Sequence, residues 1–340
     1  MKKIFACLFI ITASLGISYN LLHKNPLDQK ITPNKKIVIT HIKAGLGNQF
    51  FKYAAGYSLA KRLNAELWLI INNEAKIRNF TPTERPFLLD LFNIEYDKII
   101  FSNDPLNLKL PEFNEPYKHY VVTDINYFDF KPNNDHVSKL QVYQLNDFYD
   151  SYIYFQEFAS DLKQLFTLKN SKQSLPNMEK ILKSESVAVH VRRGDYKNLG
   201  WTMPIDYQID AISRMRKSLK NPHFFLFSDD PEYLKSFAKI LPDATVVSYE
   251  GSNCIEEFIL MTACKHIVTS NSTFSWWAAW LNKNPNKIVI SPLPRYPDSF
   301  YNYYDKSIFD RWNGIKKKKM SIYENGYPKE WITINYKADK

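Results

Sequence analysis

Apolar runs alternate with helical patterns through the second half of the chain. Each run is rich in valine, isoleucine and phenylalanine, and a segment with helical periodicity follows it. The predicted strands are Val187–Val191, Phe224–Phe227, Ala244–Ser248, His266–Thr269 and Lys287–Ile290. The predicted helices between them are Ile205–Leu219, Glu232–Leu241, Cys254–Cys264 and Phe274–Leu281. Strands that alternate with helices predict a parallel sheet in a doubly wound nucleotide-binding domain.

The first half of the chain begins with the same kind of pattern. The predicted elements are a strand at Lys36–Ile42, a glycine-containing turn at 43–49, a helix at Phe50–Leu63 and a strand at Leu67–Ile71. This order is a parallel βαβ unit. Residues 72–175 are less regular, and helices are predicted only at Asp161–Leu168 and, just beyond, at Asn177–Leu182. The expected fold is therefore α/β, with two Rossmann-like domains facing a cleft.

The ends of the chain differ in composition from these two domains. The predicted divisions are a membrane anchor or signal segment at 1–23, a polar stalk at 24–35, domains at 36–175 and 176–315, and a basic tail at 316–340. The apolar run Ile4–Ile17 follows two lysines, and no small-x-small cleavage site comes after it. This favours an uncleaved single-pass anchor in a membrane. Lysines on both sides of the run leave its orientation open.

The net charge and the cysteine content limit which ligands, macromolecules and metal ions the chain is expected to bind. The 340 residues carry a formal net charge of +10, which suits an anionic ligand such as a nucleotide sugar. The lysines are spread along the chain, and the dense run Lys316–Lys319 has no interleaved aromatic residues, so no nucleic-acid site is expected. The three cysteines lack metal-ligand spacing, and no Asp-x-Asp follows a predicted strand. We expect no metal, so arginine must neutralise any bound phosphate.

The segment Val187–Tyr196 carries the strongest chemical signal. A buried strand runs directly into two arginines, a glycine and Asp195. Alternation along a strand places His190 and Arg192 on one face, and Arg193 on the other. Arginine forms a planar fork of donors that matches phosphate oxygens. The pattern predicts a phosphate site, and the structural alternative is a salt bridge between either arginine and Asp195.

Polar residues follow other predicted strands as well. Gly45-Leu46-Gly47-Asn48-Gln49 lets backbone N–H groups approach an anion at the start of a helix, although it is neither a dinucleotide-binding fingerprint nor a Walker loop. Ser270–Thr273 can cap the next helix or hold a phosphate. Asp229-Asp230 could accept hydrogen bonds from ribose hydroxyls, and Glu257 from a guanine edge. The alternative for each is a solvated carboxylate without a ligand.

Three motifs give the chain a family resemblance. They are Gly45-Leu46-Gly47-Asn48-Gln49, His190-Val191-Arg192-Arg193-Gly194-Asp195-Tyr196, and Leu260–His266 leading to Asn271-Ser272-Thr273-Phe274-Ser275-Trp276-Trp277. In this order they resemble the alpha-1,2-fucosyltransferase family. The resemblance implies a GT-B fold with GDP-fucose in the C-terminal domain and the acceptor on the N-terminal side. It also implies an inverting transfer of fucose to O2 of a terminal beta-galactose on a glycan, without a metal.

The resemblance also assigns residues. Arg192 would stabilise the departing diphosphate. The resemblance supplies no general base, and Asp195 is a candidate only by its proximity to Arg192. The implied donor-binding residues are Gly47, Asn48, Gln49, His190, Arg193, Asp229, Glu257, Asn271, Ser272, Thr273 and Phe274. Many family members carry Asp where Glu257 stands. His41 is a second candidate base.

Other functions remain open at this stage. They are a fucosyltransferase with another acceptor or linkage, a non-catalytic protein that binds GDP or another anion, and a nucleotide hydrolase or kinase. The last of these lacks a Walker loop and a set of metal-binding carboxylates. The acceptor glycan is not identified by any pattern in the chain.

Overall fold

A computed structural model describes most of the two predicted domains. The described residues are 35–72, 86–102, 117–124, 126–128, 140–170, 174–297, 299–300, 321–322, 324 and 326–336. The predicted membrane segment at 1–23, and the predicted stalk up to residue 34, lie outside them. Among the described helices, none combines the length and the apolar character that crossing a membrane requires.

The N-terminal sheet has five parallel strands. They are β1 (Lys35–Ile42), β2 (Glu66–Ile71), β3 (Lys98–Phe101), β4 (Lys118–Val122) and β5 (Leu140–Leu145), in the order β3-β2-β1-β5-β4. The two strands predicted in this half are confirmed as β1 and β2. Both are almost wholly buried, since helices and loops cover both faces of a parallel sheet.

The C-terminal sheet has six parallel strands. They are β6 (Glu185–Val191), β7 (Pro222–Ser228), β8 (Ala244–Val246), β9 (His266–Val268), β10 (Val289–Leu293) and β11 (Ile332–Asn335), in the order β11-β10-β9-β6-β7-β8. The predicted alternation of strands and helices is confirmed, and with it the α/β class.

The last strand corrects one prediction. The segment 316–340 was expected to be a basic tail, but Ile332–Asn335 form β11 at the edge of the C-terminal sheet, paired with β10. Ile334 is 4% exposed and packs in the same apolar cluster as Ile290. Burial of the Ile334 side chain holds this segment on the domain. The lysine run at 316–319 dominates the composition of the segment and hid this short apolar strand.

Eight α-helices have both ends within the described residues, and further helical residues lie at 299–300, 321–322 and 324. The eight helices are α1 (Leu46–Leu63), α2 (Ala159–Leu165), α3 (Met178–Lys183), α4 (Tyr196–Leu199), α5 (Ile205–Ser218), α6 (Pro231–Ala238), α7 (Cys254–Ala263) and α8 (Thr273–Leu281). Short 3-10 turns lie at Leu89–Leu91, Tyr152–Tyr154 and Gln156–Phe158. Helix α1 begins four residues before its predicted start, because Gly45 is its extended N-cap residue. Gly47, Asn48 and Gln49 therefore lie in the first helical turn and not in a loop.

An aromatic cluster joins the two domains. Phe51 of α1 lies 4.7 Å from Trp276 and 4.9 Å from Trp277 of α8, measured between ring centroids. Phe155 stacks on Trp277 at 5.1 Å. Burial of such large rings stabilises an interface strongly. The contact brings the starts of α1 and α8 together, so the loops after β1 and β9 face each other.

The opposite end of the C-terminal sheet carries a polar contact that stabilises the fold. Glu185 accepts hydrogen bonds from His266 at 2.8 Å and from Lys265 at 3.0 Å, across the β6–β9 pair. The His266 Nδ1 atom in turn accepts from the Ile288 N–H at 2.9 Å. The two donors lower the pKa of the Glu185 carboxyl below its ordinary value of 4.5, His266 first and Lys265 second.

This contact predicts a pH-dependent stability difference. Glu185→Gln should lower the free energy of unfolding by about 0.5–1 kcal/mol at pH 7, because the contact loses its charge. The lowered pKa means that the contribution is complete above pH 4.5 and disappears as the pH falls through the folded-state value. Urea denaturation of both proteins across this range measures the difference. Glu179→Gln, on an exposed face of α3, is the control and should change little at any pH.

Candidate functional site

Arg192 is held at both ends of its guanidinium group. It follows β6, and its Nη1 atom lies 2.7 Å from Asp229 Oδ2 while Nη2 lies 2.5 Å from Asp195 Oδ1. The Tyr196 ring lies 5.0 Å from Arg192 Cζ. The Arg192 Nε atom is buried without a hydrogen-bond partner. The predicted salt bridge between Arg192 and Asp195 thus exists. It holds the guanidinium in place while the Nε–H group remains without an acceptor.

Asp229, at the end of β7, organises this loop. Its Oδ1 atom accepts from the Arg193 N–H at 2.8 Å, and Oδ2 pairs with Arg192. A Cβ atom on Gly194 would lie 2.3 Å from Asp229 Oδ2, so the loop can close on the carboxylate only with glycine there. Both oxygens of Asp229 have protein partners. Its contact with a ribose stays a prediction, whereas its positioning of Arg192 is visible.

Arg193 lies beyond the end of β6 and has different partners from Arg192. Its Nε atom lies 3.2 Å from Asp230 Oδ2, and its Cζ atom lies 3.9 Å from the centre of the Tyr233 ring. Lys197 lies 3.1 Å from the same Asp230 oxygen. The side chain is occupied by contacts with the start of α6. It supports the loop, and its contact with a donor remains a prediction.

His190 is a buried, neutral imidazole beside Arg192. Its Nδ1 atom lies 2.8 Å from Ser270 Oγ. Burial lowers the pKa of His190 to about 4, with an opposing effect from Asp229 and a further lowering by Arg192. The ring is therefore uncharged at neutral pH. The effects of Asp229 and Arg192 on this pKa, and the ion pair between those two residues, place the three side chains in one site.

Two helices begin at the same point of the site. Thr273 Oγ1, at the start of α8, donates a hydrogen bond of 2.7 Å to Asn48 Oδ1 in the first turn of α1. A Cβ atom on Gly47 would lie 2.4 Å from the Thr273 carbonyl carbon and 2.5 Å from Phe274 N. Ser272 caps α8 by accepting from the Phe274 N–H at 3.3 Å. Because helix N-termini carry partial positive charge, this junction favours an anion.

The side-chain amides of Gln49 and Asn271 differ in how fully they are hydrogen-bonded. The Gln49 amide donates to the Ala44 and Pro86 carbonyls at 2.8 and 2.7 Å and accepts from the Leu88 N–H at 3.0 Å. The structure thus commits Gln49 to the loops around α1, and a donor contact by this side chain stays a prediction. Asn271 donates to the Trp201 carbonyl at 2.8 Å, while its Oδ1 atom is buried with no partner.

Glu257 lies on α7, near the end of β7. Its Oε1 atom accepts from the Ser252 hydroxyl at 2.5 Å. Burial raises the pKa of Glu257, with opposing hydrogen bonds from Ser248 and Ser252 and a further rise caused by Asp229. Two serine hydroxyls thus hold the Glu257 carboxyl in place, and its contact with a guanine edge stays a prediction.

The two candidate bases differ in their surroundings. The Asp195 carboxylate, 59% exposed, is paired with Arg192. His41, at the end of β1, has a pKa lowered to about 3 by burial and by Lys52 and Lys43, so it is a weak base. Neither role is decided by these contacts.

The sequence patterns missed a third group at this crevice. Asp150 follows β5, and Arg295 and Tyr296 follow β10. Arg295 donates to the Asp150 carbonyl, and the Tyr296 hydroxyl lies 3.2 Å from Asp150 Oδ2. Lys52 of α1 donates to the Asp147 carbonyl at 2.5 Å. The only available signal was an Asp-rich segment, 147–150, in a region where no strand was predicted.

Within the described ranges, no three histidine, cysteine, aspartate or glutamate side chains are grouped as a metal site requires. The expected independence from metal stays a prediction.

The fold and the site together define a class of protein. A fixed arginine at the carboxyl end of a parallel sheet, together with two helix N-termini in contact, is typical of proteins that bind a nucleotide or another phosphorylated ligand. The chain belongs to glycosyl transferase family 11, whose model matches residues 8–316. The resemblance to alpha-1,2-fucosyltransferases is thereby confirmed.

Several relatives support this assignment. The chain is 29% identical to an alpha-1,2-colitosyltransferase of Escherichia coli, over 83% of this chain and 99% of the relative. It is 26% identical to the O-antigen biosynthesis glycosyltransferase WbnK of Escherichia coli, over 80% of this chain and 98% of the relative. It is 25% identical to the galactoside 2-alpha-L-fucosyltransferase SEC1 of Bos taurus, over 73% of this chain and 65% of that protein.

Proposed function

We propose that this family 11 glycosyl transferase moves L-fucose from GDP-fucose to O2 of a terminal beta-galactose on a glycan, with inversion and without a metal. A GT-B arrangement of the two domains is part of this proposal. The observation that carries it is the buried, unpartnered Nε atom of Arg192 in a guanidinium that two carboxylates hold in place. A diphosphate oxygen supplies the acceptor that this donor lacks.

The proposed chemistry needs charge stabilisation at the leaving group. As the bond between the fucose anomeric carbon and the phosphate oxygen breaks, negative charge grows on GDP. Arg192 is fixed before the reaction, so its donors require little reorganisation when that charge appears. The starts of α1 and α8 add partial positive charge, and Asn48 and Thr273 hold the two helices together. In this proposal these groups neutralise the diphosphate in place of a metal.

Glu257 is proposed to select guanine. Its carboxylate would accept from the N1–H and the 2-amino group of the base, and the neutral His190 would contact the nucleoside. We expect Glu257→Gln to weaken GDP binding about tenfold, because one acceptor becomes a donor. We also expect it to reduce the preference for GDP over inosine diphosphate, which lacks the 2-amino group. Calorimetric titration with both nucleotides measures these changes, and Glu256→Gln on the same helix is the control.

A second donor is supported by the most similar relative described above. That relative is named as a colitosyltransferase, and colitose is fucose without its 3-hydroxyl group. GDP-colitose is therefore the alternative donor. Comparing kcat/KM for the two GDP-sugars decides between them, since only a site that binds the 3-hydroxyl would prefer fucose.

The test of the proposed function is product formation by the full-length chain in mild detergent. GDP-fucose and EDTA are supplied with and without lactose, and released GDP and the linkage in the product are measured. Lactose-dependent release with fucose on galactose O2 is the expected result. Release with another linkage or another acceptor would replace the acceptor assignment. Tight GDP binding without transfer to any beta-galactoside would favour a non-catalytic GDP-binding protein.

A membrane location is also proposed. The apolar run Ile4–Ile17 would anchor the enzyme by a single pass, with the side of the catalytic domain left open. The expected result is that the chain stays with membranes after an alkaline carbonate wash. Its release by the wash would contradict an integral anchor.

A further inference from the structure

The Asp150 side chain has no function in the site as described so far. It is 6% exposed, and its Oδ2 atom faces the Tyr296 hydroxyl at 3.2 Å. Its Oδ1 atom is buried without a hydrogen-bond partner. A carboxylate oxygen that has lost water and gained no donor is costly to the fold. At the meeting of the two domains, such an atom is free to accept a donor from a substrate.

Asp150 lies where the two domains meet. It follows β5 of the N-terminal sheet, and its carbonyl accepts from Arg295, which follows β10 of the C-terminal sheet. Both strands end at the crevice. Open parallel sheets bind their ligands outside the carboxyl ends of the strands, so Asp150 has the location of a substrate-binding residue.

Tyr196 connects Asp150 with Arg192. The Tyr196 ring lies 5.0 Å from Arg192 Cζ. Burial raises the pKa of the Tyr196 hydroxyl, and among the charges that act on it are Arg192, Asp195, Asp150 and Arg295. Asp150 therefore acts electrostatically on Tyr196, whose ring lies against the Arg192 guanidinium.

The charges around Asp150 suit a group that exchanges a proton. Burial raises the pKa of its carboxyl above the ordinary value of 3.8, and Asp147 adds to this rise. Arg295, the Tyr296 hydroxyl and Lys52 act in the opposite direction and favour the carboxylate. The group is thus more basic than an exposed aspartate, which a general base requires.

We propose that Asp150 is the general base of the transfer, with Oδ1 taking the proton of the acceptor hydroxyl. This inference rests on the proposed function. The acceptor oxygen forms a bond to the fucose anomeric carbon, and the bond from that carbon to the phosphate oxygen breaks. The electron pair of the broken bond leaves with GDP beside Arg192, while the acceptor proton passes to Asp150. The other two candidates fit less well, because Asp195 is paired with Arg192 and His41 is a weak base.

The experiment compares two acceptors that differ in their need for a base. The full-length wild type and the variants Asp150→Asn and Asp147→Asn are assayed with GDP-fucose. The acceptors are lactose and a lactose whose galactose 2-hydroxyl is replaced by a thiol. A thiol has a pKa of about 8.5, far below that of a sugar hydroxyl, so part of it is already thiolate at the assay pH and it depends much less on a general base. GDP affinity and thermal stability are measured for each protein.

We expect Asp150→Asn to lower kcat with lactose about 100-fold or more, the usual contribution of a general base. Its transfer to the thiol acceptor should stay within about tenfold of wild type, and its GDP affinity within about threefold. Asp147→Asn, in the same loop, should retain activity with both acceptors. If Asp150→Asn does not fold, Asp150→Ser undergoes the same assays.

Equal losses with both acceptors would overturn the inference, because they would indicate a positioning or structural effect. Nearly normal transfer to lactose by the variant would also overturn it, while leaving the proposed function intact. No transfer to either acceptor by the wild type, despite GDP binding, would overturn the proposed function itself and remove the basis of the inference.

Discussion

Replacing Arg192 with alanine is expected to lower kcat/KM for fucosyl transfer about 1,000-fold, as the loss of a fixed arginine at a phosphoryl leaving group typically does. The loss should fall mainly on kcat, because the charge that Arg192 stabilises grows in the transition state. GDP binding should weaken less. Arg192→Lys should recover only part of the rate, since an ammonium group cannot bond Asp195, Asp229 and a phosphate in the same fork geometry. Steady-state kinetics and titration with GDP measure both effects.

Arg216 provides a matched control for this substitution. Its guanidinium pairs with Asp243 at 2.5 Å and lies 5.3 Å from the Phe224 ring, so it resembles Arg192 in its contacts. It lies at the opposite end of the sheet, before β7 and β8 begin. Arg216→Ala should leave transfer unchanged and cost less than about 1 kcal/mol of stability. Near-normal transfer by Arg192→Ala would contradict the diphosphate role.

Three strands of the C-terminal sheet were predictable because they are buried on both faces. β6, β7 and β9 appear as continuous apolar runs, and helical periodicity separates them. In the N-terminal sheet, β4 is partly exposed at an edge and β5 contains two glutamines. Their patterns differ little from those of loops. The sequence analysis missed these two strands because polar residues interrupt their apolar runs.

The candidate site shows the same limit at the level of single side chains. Arg192 was predictable, since a strand and a glycine loop fix its place. The role of Asp229 as its partner was not, because sequence alone cannot show that β6 and β7 are neighbours in the sheet. Asp150 was missed for a related reason. Its chemistry arises from Arg295 and Tyr296 on the other domain, and no local pattern records that contact.

Helices α1 and α8 approach each other closely only because residue 47 is a glycine without a side chain. Gly47→Ala would place a Cβ atom 2.4–2.6 Å from main-chain atoms of Thr273 and Phe274. Main-chain atoms cannot avoid this contact by changing rotamer, so one helix must move away from the other. We expect the free energy of unfolding to fall by about 1–3 kcal/mol, as overpacking of a closed interface does. Transfer should fall about 100-fold, because a shift of about 1 Å in the groups that hold a substrate has that effect.

Gly45 offers the control, because it stands two residues earlier in the same segment. Its φ of −66° suits any residue, and a Cβ atom there would meet nothing within 4 Å. Gly45→Ala should cost less than about 1 kcal/mol, which is the range for changes at a helix N-cap, and should preserve transfer. Thermal denaturation, GDP titration and steady-state kinetics are compared for the two variants. The comparison separates the effect of a clash between the two helices from the general effect of replacing a glycine. Near-normal stability and transfer in Gly47→Ala, as expected for Gly45→Ala, would show that the anion site does not depend on the contact between these helices. In that case α8 alone would hold the diphosphate with Arg192.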